Sequence, residues 1–220
     1  MDKVANLEQR AFRVGFVLID GFALMSYSAA VEVLRAANLL AGRELYAIRH
    51  IPATGTQAVS STGAIVEGTG QLGADFDFDL VLVVAGGDPA KFRDRKVFGW
   101  LRQLSQRNIR LGGVSGGPVV LAAAGLMEGR RMTVHWEHAA ALAEVSPALI
   151  IERSLYVIDR DRITCAGGTS PLDMMHAILT EHHGSSFARQ VSDWFMHTEV
   201  RPSGGPQRSG LAERYDTTHP

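Results

Sequence analysis

The chain has 220 residues, of which 46% are hydrophobic, and a formal net charge of −1. A chain of this length can bury one sizeable core, and its near-zero net charge excludes the basic surface that nucleic-acid binding requires. The single cysteine excludes an internal disulfide framework and favours a reducing compartment, and the sequence has no run of about 20 apolar residues to span a membrane. We therefore expect a soluble, cytoplasmic domain without a membrane partner.

Short apolar runs alternate with helical patterns along the chain, after a lead-in at residues 1–12 without a clear pattern. The apolar runs are typical of strands buried on both faces of a parallel sheet. They lie at residues 12–19, 46–51, 80–84, 109–114 and 149–152. Helical spacing or a proline start predicts helices between them. These helices lie at residues 28–40, 91–106, 118–125, 137–143, 171–183 and 186–196.

Two segments predict hairpins, an edge hairpin at residues 54–70 and another at residues 156–165. Ser170 is expected to cap the helix that follows the second hairpin. The alternation of strands and helices predicts an α/β fold with a doubly wound, mostly parallel sheet, helices on both faces and a flavodoxin-like layout. In such a fold the site lies at the carboxyl ends of the strands. Residues 200–220 have the composition of a linker and contain nothing that could bury a core.

The most specific signal follows the strand at residues 109–114. Ser115 ends the strand, Gly116 and Gly117 allow a tight turn, and Pro118 suits the first position of a helix. Such a turn holds Ser115 over the end of a sheet, among backbone N–H groups that can bind an anion or a carbonyl oxygen. We therefore expect a binding or reaction centre at Ser115.

Two interpretations of this turn compete. Residues 113–117 satisfy G-x-S-x-G, the nucleophile elbow of serine hydrolases, in which the serine needs a histidine base and an orienting acid. Alternatively, V-S-G-G-P at residues 114–118, followed by M-T-V-H-W at residues 132–136, resembles the ThiJ/PfpI superfamily, which is class I glutamine-amidotransferase-like. That superfamily has a cysteine at the elbow and a histidine beside it. The resemblance aligns Ser115 with the cysteine and His135 with the histidine.

Further segments narrow the resemblance to the sensor half of GlxA-type, AraC-family transcription regulators. They are R-V-G-F-V-L-I-D-G-F-A-L-M at residues 13–25, V-E-V-L-R-A-A-N at residues 31–38 and C-A-G-G-T at residues 165–169. Residues 199–202, together with residues 206–208, are similar to the segment that leads into the DNA-binding domain of those regulators. The resemblance implies a ThiJ/PfpI-type sensor domain at residues 13–199 and a linker at residues 200–220. We expect a homodimer that contacts DNA only through a C-terminal helix-turn-helix domain outside these 220 residues.

The resemblance also implies roles for individual residues. Enzymes of the superfamily carry an acidic residue on the first strand-to-helix connection, where this chain has Ser26. They also have a glycine turn whose N–H groups face the nucleophile, where this chain has Gly86 and Gly87. A serine hydroxyl is a weak nucleophile until a base removes its proton, and Ser115 would need His135 as that base. Because both reactive positions carry hydroxyls, we predict a pocket without catalysis.

The groups that remain are those of a binding site. The predicted ligand contacts are Ser26, Gly86, Gly87, Ser115, Gly116, His135, Trp136, Glu137 and Thr169. Of these, Glu137 is also the acid nearest to His135 in sequence. An indole face near a carboxylate can hold a cationic or quaternary ammonium group, so we expect a small nitrogenous effector that is amino-acid or amine-like. A core or interface role for Trp136 is the alternative interpretation.

Other chemistry finds little support in the sequence. No phosphate-binding loop or G-x-G-x-x-G turn stands at a usable place, so we expect no nucleotide cofactor. His182 and His183 lack the accompanying ligands of a metal site, and adjacent helix residues point apart, so we interpret them as surface histidines and expect no metal. Cys165 is predicted to be a buried structural residue and Asp173 to form a cap or a salt bridge.

The leading hypothesis is therefore an effector-sensing domain of an AraC-family regulator that is not an enzyme. The alternative is a ThiJ/PfpI-like or serine hydrolase that uses Ser115 and His135. A third hypothesis is a scaffold that keeps the fold without a ligand.

Overall fold

A computed structural model describes residues 10–209. The strands in this part of the chain are β1 (Phe12–Leu18), β2 (Tyr46–Pro52), β3 (Gln57–Val59), β4 (Ile65–Glu67), β5 (Leu80–Ala85), β6 (Arg110–Ser115), β7 (Arg131–Met132), β8 (Ile150–Ile151), β9 (Tyr156–Asp159) and β10 (Arg162–Cys165). The helices are α1 (Leu24–Ala41), α2 (Arg95–Gln106), α3 (Gly117–Ala123), α4 (Trp136–Val145), α5 (Ser170–His183) and α6 (Ser185–Trp194).

Six of these strands form the central sheet, in the order β2-β1-β5-β6-β10-β9. Five of the six are parallel, and only the edge strand β9 runs antiparallel, to β10. The carboxyl ends of the parallel strands therefore share one edge, where the glycine turns that follow β5, β6 and β10 come together. The predicted doubly wound, mostly parallel sheet is confirmed.

Two apolar cores cover the two faces of the sheet, because successive strand residues point to opposite faces. On one face, Phe16 and Leu18 of β1 pack with buried residues of α1, α5 and α6. On the other face, Val17 packs with buried residues of α2, α3 and α4. Helices on both faces hold the sheet rigidly, so the loops at its carboxyl edge rest on a fixed frame.

Two predicted helices differ from the structure at their N-termini. α1 begins at Leu24, four residues before the predicted start, where the Leu24 N–H donates to Ser61 Oγ over 3.4 Å. The helix predicted at residues 91–106 was wrong in its first turn. Pro89–Lys91 form a short 3₁₀ turn instead, and α2 starts only after Asp94, whose carboxylate accepts the N–H groups of the second and third residues of α2. An acidic N-cap fixes the start of that helix.

Two predicted strand segments lie outside the central sheet. The hairpin expected at residues 54–70 is present as antiparallel β3 and β4, but it forms a separate sheet held to the end of β1 by Gly21 N–H donating to Val59 O over 2.7 Å. The strand expected at residues 149–152 shortens to β8 and pairs with β7. The hairpin of β9 and β10 instead supplies the edge of the central sheet. No helix within residues 10–209 has both the length and the apolar character to cross a membrane.

Candidate functional site

Ser115 stands at the end of β6 with φ of 60° and is 7% exposed. A positive φ is uncommon for a residue other than glycine and marks backbone strain that the surrounding structure must hold. Gly117 permits the turn, since a Cβ at this position would overlap the carbonyl oxygen of Val83. The strand, the strained serine and the helix that starts beside Pro118 form the elbow that the sequence predicts.

The glycine turns after three strands close around this elbow. Gly116 N–H donates to Ala85 O over 3.0 Å, which ties the elbow to the end of β5. A Cβ at Gly86 would come within 2.5 Å of Gly21 O, so the turn after β5 packs on the connection from β1 to α1. A Cβ at Gly167 would lie 2.8 Å from the Ser115 Cβ and 3.0 Å from its Oγ. The turn after β10 therefore lies directly on the serine.

His135 caps α4 and has no hydrogen bond to Ser115 within residues 10–209. Its Nδ1 accepts the N–H of Glu137 over 3.4 Å, and the Glu137 carboxylate lies 3.9 Å from the same nitrogen. Burial, and secondarily the nearby His138, lower the pKa of His135 from 6.5, so the ring is neutral at pH 7. Ser115 Oγ has no hydrogen bond in the same range. The elbow serine thus lacks the paired base that activates a serine nucleophile.

A polar cleft of about 170 Å³ opens beside the elbow. Its lining consists of His135, Trp136, Leu155, Ala166, Gly167, Gly168, Thr169, Ser170, Arg201 and Gln207. Three of the predicted ligand contacts, His135, Trp136 and Thr169, therefore share one cleft. Ser115 is not a lining residue, but it contacts Gly167, which is.

The other predicted contacts lie outside the lining of this cleft. They are Ser26, Gly86, Gly87, Gly116 and Glu137. Ser26 is buried in the first turn of α1, and the carboxylate side chain of Glu137 is mainly exposed. The glycines shape the elbow from the side of β5. The predicted contacts that do line the cleft are therefore those that follow β7 and β10 in the chain.

Two cleft residues that the sequence did not suggest, Arg201 and Gln207, come from the predicted linker. Residues 201–208, which we call the strap, run back over the domain. Arg201 donates to the fully buried Asp173 from its backbone N (2.8 Å), its Nε (3.0 Å) and its Nη2 (2.7 Å), and its Nη2 also donates to Thr169 Oγ1 (2.9 Å). His197 Nε2 approaches the same carboxylate at 2.9 Å. The salt bridge predicted for Asp173 is therefore present.

The rest of the strap is fixed by hydrogen bonds and a ring contact. Ser203 O accepts the N–H of Leu155 over 2.7 Å. Gln207 Nε2 donates to Ser154 O (2.7 Å), Thr133 Oγ1 (3.1 Å) and Val134 O (3.2 Å). Because this packing is largely polar, a composition without core-forming residues did not reveal it.

The strap ends against the aromatic side of the cleft. The guanidinium carbon of Arg208 lies 4.1 Å from the ring centroid of Trp136, whose side chain is 43% exposed. The cation over the indole face is therefore a side chain of this protein, whereas the sequence suggested a cationic ligand at that ring.

The start of α5 differs from the prediction by one residue. Thr169 is the N-cap and Ser170 the first helical residue. Ser170 Oγ donates to Gly167 O over 2.7 Å and contacts Cys165 Sγ at 3.1 Å. Cys165 is buried as predicted, and burial raises the pKa of its thiol to about 11. This thiol is a structural group at neutral pH.

His182 and His183 do not behave as separate surface residues. His182 Nδ1 and His183 Nε2 lie 2.9 Å and 3.1 Å from the same hydroxyl, that of the buried Tyr46. The expectation that adjacent helix residues point apart was wrong here, because both rings bend toward this phenol. Within residues 10–209 no group of three or more His, Cys, Asp or Glu side chains is placed to hold a metal ion.

A larger, mainly apolar cleft of about 380 Å³ lies against α4. It is lined by residues of the 3₁₀ turn, α3 and α4, among them Pro89, Val119 and Leu142. It contains none of the predicted site residues. The polar cleft, which contains three of them, therefore remains the candidate site.

An elbow residue held at positive φ between a central parallel strand and a helix defines an α/β protein of the nucleophile-elbow type. The chain belongs to the DJ-1/PfpI family, whose model matches residues 12–181. The resemblance seen in the sequence is thereby confirmed.

Transcription regulators are among the most similar curated relatives. The chain is 48% identical over 210 residues to the HTH-type transcriptional regulator GlxA of Rhizobium meliloti, covering 94% of this chain and 64% of that protein. It is 39% identical over 204 residues to the HTH-type transcriptional regulator CdhR of Pseudomonas aeruginosa, covering 93% of this chain and 60% of that protein. The chain therefore spans less than two thirds of the length of these relatives.

Solved structures support the same fold. An AraC family transcriptional regulator from Pseudomonas putida superposes with a TM-score of 0.75 at 25% identity, covering 84% of this chain and 99% of that chain. DJ-1beta of Drosophila melanogaster superposes with a TM-score of 0.71 at 18% identity, covering 85% of this chain and 98% of that chain. The second likeness concerns the fold alone.

Proposed function

We propose that this chain is the effector-sensing part of an AraC-family transcription regulator. It binds a small nitrogenous metabolite in the polar cleft and does not transform it. The observation that carries the proposal is an elbow serine without a hydrogen-bonded base, in a chain whose relatives are transcription regulators. The cleft supplies what recognition needs, namely hydroxyls, amides and rings held on a rigid sheet.

Two physical points support binding without catalysis. A serine hydroxyl stays protonated near pH 7 unless a base takes its proton, and the predicted base, His135, instead caps α4 with its Nδ1. Gly167, which lines the cleft, also packs on Ser115, and Ser115 is not among the lining residues. A molecule in the cleft thus meets the groups at His135 and Thr169.

A sensor must also transmit occupancy to DNA. In the proposal, the ligand favours one of two arrangements of the chain, since equal affinity for both would shift nothing. DNA is then contacted by a helix-turn-helix domain outside these 220 residues, within a homodimer. The net charge of −1 fits this division, because the chain itself lacks a basic excess.

A thermal-unfolding panel of amino acids and amines tests the proposal. Ligand at about 100 times its dissociation constant stabilises the folded state by about 2.7 kcal/mol, a clear rise in melting temperature. We expect one compound class to give this rise equally in the wild type and in Ser115→Ala, and a smaller rise in Thr169→Val. A panel without any stabilising compound would refute the sensor.

One observation favours a second function, the hydrolase that uses Ser115 and His135. The φ of 60° at Ser115 is the strained backbone of a nucleophile elbow. If this function holds, the chain turns over p-nitrophenyl esters, and both Ser115→Ala and His135→Ala abolish the turnover. Turnover at the buffer rate excludes the hydrolase.

A further inference from the structure

One strap residue that lines the cleft, Gln207, carries an unsatisfied polar atom. Gln207 Nε2 faces three acceptors, which fixes the orientation of its amide, and the opposite atom, Oε1, is buried with no hydrogen-bond partner within the described residues. Two other buried side-chain atoms share this state, Arg110 Nε and Thr180 Oγ1, and both lie toward the other end of the sheet. Buried acceptors are normally paired, so we expect a ligand to supply a hydrogen-bond donor to Gln207 Oε1.

Donors without partners border the same cleft. Gly168 and Thr169 line it just before α5, and within residues 10–209 neither backbone N–H makes a hydrogen bond. Arg201 binds Asp173 and Thr169 through its Nε and Nη2, while its Nη1 makes no hydrogen bond in the same range. Two N–H groups and a guanidinium nitrogen together suit a carboxylate. The cleft thus offers donors from its wall and from Arg201, and an acceptor from Gln207.

The aromatic face is not free to take a second cation. Arg208 covers the Trp136 ring at 4.1 Å. A quaternary ammonium, which has no N–H to donate, would have to displace Arg208 and would leave Gln207 Oε1 unpaired. A primary ammonium pairs with Gln207 Oε1 and leaves Arg208 in place.

From these contacts we propose that Arg201 and Gln207 are specificity-determining residues of the effector site, and that the effector is a small amino acid with a carboxylate and N–H donors. The carboxylate binds Gly168, Thr169 and Arg201, and the ammonium group donates to Gln207 Oε1. Because the ligand then joins the wall of the domain to the strap, its binding holds the strap down. This inference rests on the proposed function and adds the class of the ligand and the element that responds to it.

Calorimetric titration of the 220-residue chain with the common L-amino acids, glycine and their N-trimethyl derivatives tests the ligand class. We expect one amino acid to bind at least tenfold more tightly than its N-trimethyl derivative. Gln207→Met should weaken the binding of that amino acid at least tenfold and abolish its preference over the N-trimethyl derivative. Gln190→Met, at an exposed position of α6, should change neither the affinity nor the preference. If the role of Gln207 is merely structural, Gln207→Met weakens the binding of both compounds equally.

Hydrogen exchange at the Leu155 amide tests the response of the strap, since this N–H donates to Ser203 O. A ligand that binds only the docked strap slows exchange by a factor of 1 + [L]/Kd, about a hundredfold at 100 times Kd. Arg208→Ala should speed exchange without ligand, and its matched control Arg107→Ala, which removes a similar contact with Phe76 at 4.2 Å, should not.

The outcomes separate this inference from the proposed function. If no amino acid or amine binds, both fail. If an amino acid binds and Gln207→Met leaves its affinity unchanged, or if the N-trimethyl derivative binds as tightly, the sensor stands and the assignment of Gln207 is overturned. If ligand accelerates exchange at Leu155, the strap is displaced rather than held.

Discussion

Asp173, fully buried in the first turn of α5, receives three hydrogen bonds from Arg201 at the start of the strap. The two residues join the wall of the cleft to the strap. Removing one member of a buried ion pair costs roughly 3–5 kcal/mol because the other charge stays buried. The side chain of Arg201 is 40% exposed, which reduces the cost here.

Arg201→Met is expected to lower the free energy of unfolding by about 2 kcal/mol, since it removes the guanidinium and leaves the buried Asp173 carboxylate with His197 and the backbone N–H of residue 201. In Arg201→Met with Asp173→Asn, part of that loss should be recovered because no unpaired charge remains. Urea unfolding of both variants measures this. A double variant less stable than the sum of the two single changes would contradict the pairing.

Contact between the cleft wall and the elbow gives a second prediction. Gly167→Ala should destabilise by about 3 kcal/mol, because the new Cβ meets the Ser115 Cβ at 2.8 Å with φ of 97°. Gly168→Ala is the matched control, since its φ is 60° and nothing lies within 4 Å, and it should cost about 1 kcal/mol. Adding Ser115→Gly should restore part of the stability lost in Gly167→Ala and none of the stability lost in Gly168→Ala. Equal losses in the two alanine variants would mean that the close approach at Gly167 has no energetic role.

Cys165 should be almost inert in the folded chain. Burial raises the pKa of its thiol to about 11 from a usual 9.0, which lowers the thiolate fraction about a hundredfold. Ellman's reagent at about pH 8 should therefore react at least a hundredfold more slowly with the native protein than with the protein in urea. Rapid reaction of one thiol per native chain would show that Cys165 is accessible.

Stability should fall as the solution is acidified below neutrality. Burial lowers the pKa of His182 from 6.5, so the unfolded chain takes up this proton at a higher pH than the folded chain does. The free energy of unfolding therefore decreases as pH falls through about 6.5, until the folded state is protonated too. His50, whose pKa burial also lowers, adds to the slope. His135, His176 and His183 do so as well, and for each of them burial is the largest cause.

Midpoints of urea unfolding, recorded between about pH 7.5 and about pH 5.5, measure how the free energy of unfolding changes with pH. His182→Gln and His50→Gln should each flatten this slope, and the double variant should flatten it by the sum, because the two sites are separate. A slope that both variants leave unchanged would place the responsible groups elsewhere.

The elbow could be predicted from the sequence because its determinants are local. Gly116, Gly117 and Pro118 fit only a tight turn into a helix, and the apolar run of β6 locates the turn at the end of a buried strand. The cap at Asp94 was also open to prediction, since an aspartate before a helical pattern is a common N-cap signal. The helical pattern that began at residue 91 concealed it.

The strap could not be predicted in the same way. Arg201 and Gln207 stand among glycines, prolines and serines, and their partners Asp173 and Thr133 lie far from them in the sequence. Hydrogen bonds to distant groups leave no period in the sequence, whereas a buried apolar face does. The same holds for His182 and His183, which meet only because Tyr46 of β2 lies beside the end of α5.

We propose that the cleft recognises a small nitrogenous molecule and leaves it unchanged. A proton NMR spectrum of an amino-acid and amine mixture, recorded with and without the chain over a day, tests recognition and reaction together. We expect broadened resonances for one compound class and no new resonances. Product resonances that disappear with Ser115→Ala, or a mixture that the protein leaves unbroadened, would contradict the proposal.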